Sequence, residues 1–282
     1  MTGQRGYVPF IILGLGRSGS NLIVSLLRSH PHVRCFGELL TFDSKFVDFS
    51  VEGYDSNSAE DLRLRDTDVI GFFQRRIYGE HPAWVRAVGF KPMYQHLPFF
   101  PPELTDWFAA QPDLRVIHSK RRNLLRFFVS LQIANNSGQW IAPVTPESLA
   151  RRPWRRALRR ALLPARTARR ALFPRNRPAP ESKAVTLTRD ECLFVFEWAK
   201  REEAAYAERF RNHPIFDVYY EDLVRDIPGV IKQIQEFLDL EPRPLTVGTT
   251  RQNPEPLRTL IVNYDELYET FRDSEFGSFF DD

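Results

Sequence analysis

Three glycines, Gly14, Gly16 and Gly19, with Arg17, Ser18, Ser20 and Asn21 set among them, form the stretch of this chain best suited to hold an anion. Glycine removes the side chains that would keep a ligand off the main chain, so backbone N–H groups can close around negative charge. Ser18, Ser20 and Asn21 add hydroxyl and amide donors, and Arg17 adds a fixed positive charge. Gly14-x-Gly16-x-x-Gly19 is also the spacing of a dinucleotide-binding turn, with Glu38 near the place of an acid that binds ribose. That spacing alone leaves a Rossmann-type nicotinamide or flavin oxidoreductase open. It speaks against a nucleoside triphosphatase, because the Gly-Lys-Ser/Thr ending is absent.

Such a loop needs a strand before it and a helix after it. Phe10 to Leu13 form a continuous apolar run of strand length, as expected of a central strand covered on both faces. A helix starting near Ser20, with Leu22, Ile23, Leu26 and Leu27 on its inner side, would aim its positive dipole end at the loop. The stretch after Glu38 reads as a polar, aromatic-dotted loop, a candidate lip for a substrate, and residues 60–79 read as one amphipathic helix. Val85 to Lys91 reads as the next strand; it delivers Lys91 and then His96 near its carboxyl end, where ligands gather in open parallel sheets. His96 precedes the rigid Leu97-Pro98 turn, which also suits a structural role. Pro101 opens a helix to Ala110, and Leu114 to His118 form another strand. Arg122 leaves that strand, and Ser130 follows eight positions on, two turns along a helix with Leu124, Leu125, Phe128 and Leu131 on its apolar side. An arginine fork and a hydroxyl so placed can hold two oxygens of one phosphate. Thr188 and Glu191 form a capping box for a helix to about Phe210. Ile215 to Tyr219 reads as the last core strand, and the polar tail after Phe271 is expected to fray.

With 282 residues, 43% of them hydrophobic, the chain can bury a full core. We read residues 1–282 as one domain. Cys35 and Cys192 lie far apart and have no metal-ligand spacing, which fits a reducing compartment and implies no metal. The N-terminus shows neither a signal peptide nor a membrane span, because Gly14, Gly16 and Arg17 break the apolar run. A cytoplasmic location is expected. Net charge is +3, yet residues 151–177 alone hold eleven arginines and no acid, so the rest of the chain is net acidic. This cluster lies in an Arg/Pro-rich insertion over residues 143–185. There Trp154, Leu158 and Leu162 recur every fourth position among arginines, the layout of a basic amphipathic helix for an anionic surface such as lipid head groups. The insertion lacks interleaved aromatics for base stacking, so no nucleic-acid partner is expected.

The order Arg17-Ser18-Gly19-Ser20-Asn21 resembles the 5′-phosphosulfate loop of the sulfotransferases that use 3′-phosphoadenosine 5′-phosphosulfate (PAPS). The run Leu26 to Leu40, with its His-Pro turn and Gly37-Glu38 pair, is similar to bacterial carbohydrate sulfotransferases of the nodulation-factor type. Cytosolic small-molecule members carry lysine where this chain has Arg17. Arg122 and Ser130 resemble the 3′-phosphate motif of the same family, and Tyr220-Glu221-Asp222-Leu223 resembles a segment whose tyrosine reaches the donor's adenine. Arg251 before Gln252-Asn253-Pro254 resembles a basic residue that closes over the nucleotide.

The resemblance implies an α/β fold with a P-loop-type central parallel sheet flanked by helices. It implies metal-independent, in-line transfer of a sulfuryl group from PAPS to a hydroxyl of a carbohydrate or glycolipid. Gly16, Arg17, Ser18, Gly19, Ser20, Asn21, Arg122, Ser130, Tyr220 and Arg251 would bind the donor. Arg17 and Lys91 would assist the transfer, and Glu38 would be the base, with His96 as the alternative. The competing expectations are the dinucleotide oxidoreductase and a catalytically inactive nucleotide-binding adaptor.

Overall fold

A computed structural model describes residues 6–41, 48–138, 183–248 and 252–281. They cluster in two compact units, one from Met1–Lys120 with Ala205–Gly248, the other from Arg121–Ala204 with Thr249–Asp282. The amphipathic helix expected within 151–177 and Arg251 both lie outside the described residues.

The first unit is built on a parallel sheet that holds five strands among the described residues, in the order β2-β3-β1-β4-β5. These are β1 (Val8–Gly14), β2 (Val33–Cys35), β3 (Ala87–Phe90), β4 (Arg115–Lys120) and β5 (Ile215–Tyr219). β1 is central because its run from Pro9 to Gly14 is apolar and buried throughout, a composition that is stable only when both faces are covered. The chain leaves β1 for β2 at one edge, returns through β3, and then crosses to β4 on the other side of β1. The carboxyl end of β1 is therefore where the winding reverses, the position at which open α/β sheets form a ligand crevice. The dinucleotide-binding sheet places its second strand beside the first. Here β3 takes that place, pairing Val8 with Ala87 through Ile11 with Phe90, which departs from the oxidoreductase alternative.

Side chains alternate across the sheet with the two-residue period of strands. One face, from Phe10, Ile12, Ala87, Ile117 and Val218, packs on Ile23, Leu26 and Leu27 of helix α1 (Ser20–Arg28) and on Ile231 and Ile234 of a later helix, Ile227–Phe237. Each fully buried aliphatic side chain in that layer contributes on the order of 1.5–3 kcal/mol. The other face is aromatic: Phe90 meets Phe73 at 4.7 Å and Phe108 at 5.5 Å between ring centroids. Residues 60–79 are not one helix. They divide into α2 (Ala59–Thr67), α3 (Val69–Phe72) and a π turn (Phe73–Ile77), because the Asp68 carboxylate accepts the Gly71 N–H at 2.9 Å and so caps a new helix. Helix α4 (Pro102–Ala109) follows β3.

The second unit is helical among its described residues. α5 (Leu124–Ser137) is capped by Asn123, whose side chain accepts the Arg126 N–H at 2.8 Å. α6 (Arg189–Arg209), most of which lies in this unit, begins with the expected capping box: the Thr188 N–H donates to Glu191 at 3.0 Å and the Glu191 N–H returns to the Thr188 hydroxyl at 3.3 Å. The tail does not fray. Phe276 and Phe280 are 6% and 3% exposed, and the rings of Phe276 and Phe279 each stand 5.1 Å from Phe196, so the packing of these aromatics outweighs the polar residues between them. No helix among the described residues is long and apolar enough to cross a membrane.

Candidate active site

The loop after β1 holds its shape through two left-handed residues. Arg17 has φ 67° and Gly19, the residue before α1, has φ 87°. Positive φ on both sides of Ser18 is the alternation that turns successive main-chain N–H groups to one side, and the nine-residue α1 adds its N-terminal dipole. Gly19 is required twice over: besides its φ, a Cβ there would stand 2.5 Å from the Tyr220 ring. Tyr220 opens the short helix Tyr220–Arg225 directly after β5. Ser18 is buried, and its hydroxyl donates to the Leu15 carbonyl at 2.7 Å and meets the Ser119 hydroxyl of β4 at 3.0 Å. Its side chain thus locks the loop to the sheet and leaves the main chain to face a ligand.

Three chain segments, the loop among them, bring charged groups together here. β3 ends at Phe90, and Lys91 continues its alternation onto the α1 face. There the Lys91 ammonium, 3% exposed, donates to the Asn21 amide oxygen and to the Glu38 carboxylate at 2.7 Å. Glu38 is positioned from below by ladder-like bonds: the Lys91 N–H donates to the Gly37 carbonyl at 3.1 Å, and the Gly37 N–H to the Asp48 carbonyl at 2.9 Å. Arg17 is half-buried beside the same carboxylate. Desolvation pulls its guanidinium down to about 10, with Glu38 and then Tyr220 pulling it back up, so it keeps its charge at neutral pH. His96 also feels this group. Burial lowers its imidazole to about 4, against the pull of Glu38, while Lys91 pushes it further down and a bond to the Leu40 main chain raises it. At neutral pH this imidazole is uncharged.

Arg17, Asn21, Glu38, Lys91 and His96 are thus gathered at the carboxyl ends of β1, β2 and β3. Three residues beyond both Glu38 and His96 the chain meets a cavity of about 300 Å³, lined by Thr41, Arg65, Asp66, Phe99 and Phe100 among others. Arg65 is 1% exposed and bonds the Leu39 carbonyl at 3.4 Å and the Asp66 carboxylate at 2.9 Å. In the second unit Arg122 is exposed and Ser130 is buried on α5, with the Asn253 amide 3.5 Å from the Ser130 hydroxyl. Two contributors escaped the sequence reading. Ser119 sits under the loop, and Gln95 reaches Gly16; the one available signal for Gln95 was its place between Lys91 and His96.

Residues 9–177 match the model of the Sulfotransferase family. The chain belongs to that family. It is a sulfotransferase, which sets aside the oxidoreductase and inactive-adaptor alternatives. It is similar to nodulation protein H of Rhizobium meliloti, 27% identical over 97% of this chain and 95% of the relative. Nodulation protein H of Rhizobium tropici is 26% identical over 97% and 93%. The crystal structure of a sulfotransferase from Alicyclobacillus acidocaldarius aligns over 96% of this chain and 92% of that one, with a TM-score of 0.48 and 14% identity. Among the described residues no group of three or more His, Cys, Asp or Glu could hold a metal ion.

Proposed function

We propose that this sulfotransferase moves a sulfuryl group from PAPS to a hydroxyl of a carbohydrate or glycolipid. The observation that carries the proposal is the convergence of Arg17, Lys91 and Glu38 on the glycine loop at the sheet's winding reversal. A phosphosulfate fits those residues. A glycine turn, a helix N-terminus and two cations suit a phosphate, and a carboxylate held beside them suits a hydroxyl about to lose its proton.

When bound, the donor supplies a sulfuryl group whose bond to a phosphate oxygen breaks as a bond to the acceptor oxygen forms. Arg17, the loop amides and Ser20 hold the bridging phosphate and offset the negative charge it gains on leaving. Lys91 adds a second cation and keeps Glu38 oriented. Glu38 takes the proton of the acceptor hydroxyl. We assign the proton to Glu38 and not to His96, because the Glu38 carboxylate stands beside Lys91 and Arg17 at the loop, whereas the buried His96 ring is tied to the Leu40 main chain. On their sequence resemblance, Arg122, Ser130 and Arg251 hold the 3′-phosphate, and Tyr220 contacts the nucleotide.

The carbohydrate class of acceptor is supported by the resemblance of Leu26 to Leu40 to nodulation-factor-type enzymes and by similarity to the rhizobial nodulation proteins over nearly the whole chain. We place the non-reacting part of the acceptor in the cavity beside Thr41, where Phe99 and Phe100 offer apolar faces to sugar rings and Asp66 accepts from hydroxyls. The test is calorimetric titration with adenosine 3′,5′-bisphosphate and with a nicotinamide dinucleotide. It is joined to sulfur-label transfer from PAPS into polysaccharide and glycolipid extracts, with and without chelator. Tighter binding of the bisphosphate, and label in carbohydrate that persists in chelator, are expected. Preference for the dinucleotide, or a strict magnesium requirement, would overturn the proposal.

A further inference from the structure

The segment that leaves β3 carries more than Lys91 and His96. Met93 bridges Gly14 main chain to main chain, and the Tyr94 N–H donates to the Gly14 carbonyl at 3.1 Å. The Tyr94 ring, 1% exposed, stacks on Tyr206 with centroids 4.7 Å apart, and its hydroxyl meets His118. Between this anchor and His96 stands Gln95, whose half-buried side chain turns into the glycine loop. Its Oε1 accepts the Gly16 N–H at 3.5 Å, and its Nε2 lies 2.7 Å from where a Cβ on residue 16 would stand. The amide fits there because residue 16 is glycine. The Nε2 group faces the Met93 thioether at 3.7 Å, a weak acceptor, so a strong neutral donor is poorly matched at the mouth of an anion loop.

We propose that Gln95 contacts the substrate, donating its side-chain N–H to the sulfuryl group of the donor and not to the phosphate; this rests on the sulfuryl-transfer reading above. Position argues for it. The loop and the α1 N-terminus serve the phosphate, whereas Gln95 rides on the same short segment as Lys91 and His96, the side that faces Glu38. A group in flight between phosphate and base lies between those two sets. Charge argues for it too. In a loose transition state the negative charge grows on the leaving phosphate oxygen, which the cations Arg17 and Lys91 suit. The sulfuryl oxygens change charge little, and a neutral amide orients them without holding them back.

PAPS and adenosine 3′,5′-bisphosphate differ by the sulfuryl group alone, so their affinities for the full chain, measured by calorimetry without acceptor, isolate the contact. In Gln95→Ala the Kd for PAPS is expected to rise about tenfold, the loss of one hydrogen bond to a charged group. The Kd for the bisphosphate should stay within about twofold, the scatter expected where no contact is lost. The isosteric Gln95→Glu, which adds like charge, should lose more for PAPS. Equal losses for both nucleotides would show that Gln95 only props Gly16, and no loss for either would show a bystander amide; each outcome overturns the inference. If the unaltered protein bound neither nucleotide, the donor assignment itself would fall instead.

Discussion

The two units fix their polar groups by opposite means. In the sheet-based unit, Lys91 meets Asn21 across 70 residues of sequence and Glu38 across 53, and the loop between them is shaped by main-chain dihedrals at Arg17 and Gly19. In the helical unit, Arg122 stands two residues before α5 and Ser130 midway along it, eight positions on, set by the Asn123 cap and the pitch of α5. The first arrangement exists only when strands from distant segments are in register. The second is nearly local. Groups that must meet a reacting centre within a fraction of an ångström are held by the first kind of scaffold, and groups that only add affinity can be held by the second. Under the proposed function this predicts a division of labour: substitutions in the sheet unit strike turnover, and those on α5 strike nucleotide affinity.

The largest effect should come from Glu38→Gln. The amide keeps the shape and still accepts from Lys91, but it cannot take a proton. Transfer should fall by about 10²-fold or more, the usual worth of a positioned general base. The Kd for adenosine 3′,5′-bisphosphate should hold within about threefold, since no phosphate contact is removed. A loss of nucleotide affinity as large as the loss of rate would break the comparison at its first half. Arg122→Ala should do the reverse. Loss of a charge-assisted contact raises the bisphosphate Kd by about 10- to 100-fold. At saturating PAPS the rate should stay within about threefold, because uniform binding is then no longer limiting. Calorimetry and labelled transfer on the same preparation read both numbers, and a rate loss at saturation would merge the two classes.

How much of this was legible in the sequence follows from the same contrast. β1, α1, β4, β5 and the Thr188 cap could be read locally, because an apolar run bounded by glycine and a hydroxyl three before a glutamate state their own structure. The break at Asp68 was harder. A helical spacing of Leu62, Val69 and Phe72 runs across it, and one carboxylate capping Gly71 outweighs that spacing. The tail misled for a related reason: Phe276 and the Phe279-Phe280 pair stand among polar residues, and no periodicity announces that Phe196 awaits Phe276 and Phe279. At the site, Glu38 and Lys91 could each be suspected from their place after a strand. Their bond to one another, and the seating of Gln95 against Gly16, depend on which strands are neighbours, and a linear reading does not carry that order.

The smallest effect concerns the anchor beneath the site. His118 is 1% exposed between the Tyr94 hydroxyl and Asp217, whose carboxylate also pairs with Lys120 at 3.0 Å. Burial draws its imidazole from 6.5 to about 4; Lys120 lowers it further and Asp217 pulls it back. The folded state therefore resists a proton that the unfolded chain accepts near pH 6.5. Between about pH 6.5 and 4 the unfolded state binds more protons, so stability is full at neutral pH, declines as pH falls through that window, and levels off below it. The decline attributable to His118 is on the order of 3 kcal/mol at its limit. His118→Gln should flatten the fall of Tm between pH 6.5 and 5 while leaving transfer at pH 7.5 within about threefold, because Gln can still meet Tyr94 and no proton moves at this position during the reaction. An unchanged Tm slope would mean that His118 takes up its proton in the folded chain as it does in the unfolded one. A collapse of transfer at pH 7.5 would instead mean that the Tyr94 anchor belongs with Glu38 among the groups that turnover depends on, moving the line between the two kinds of scaffold one layer deeper into the sheet.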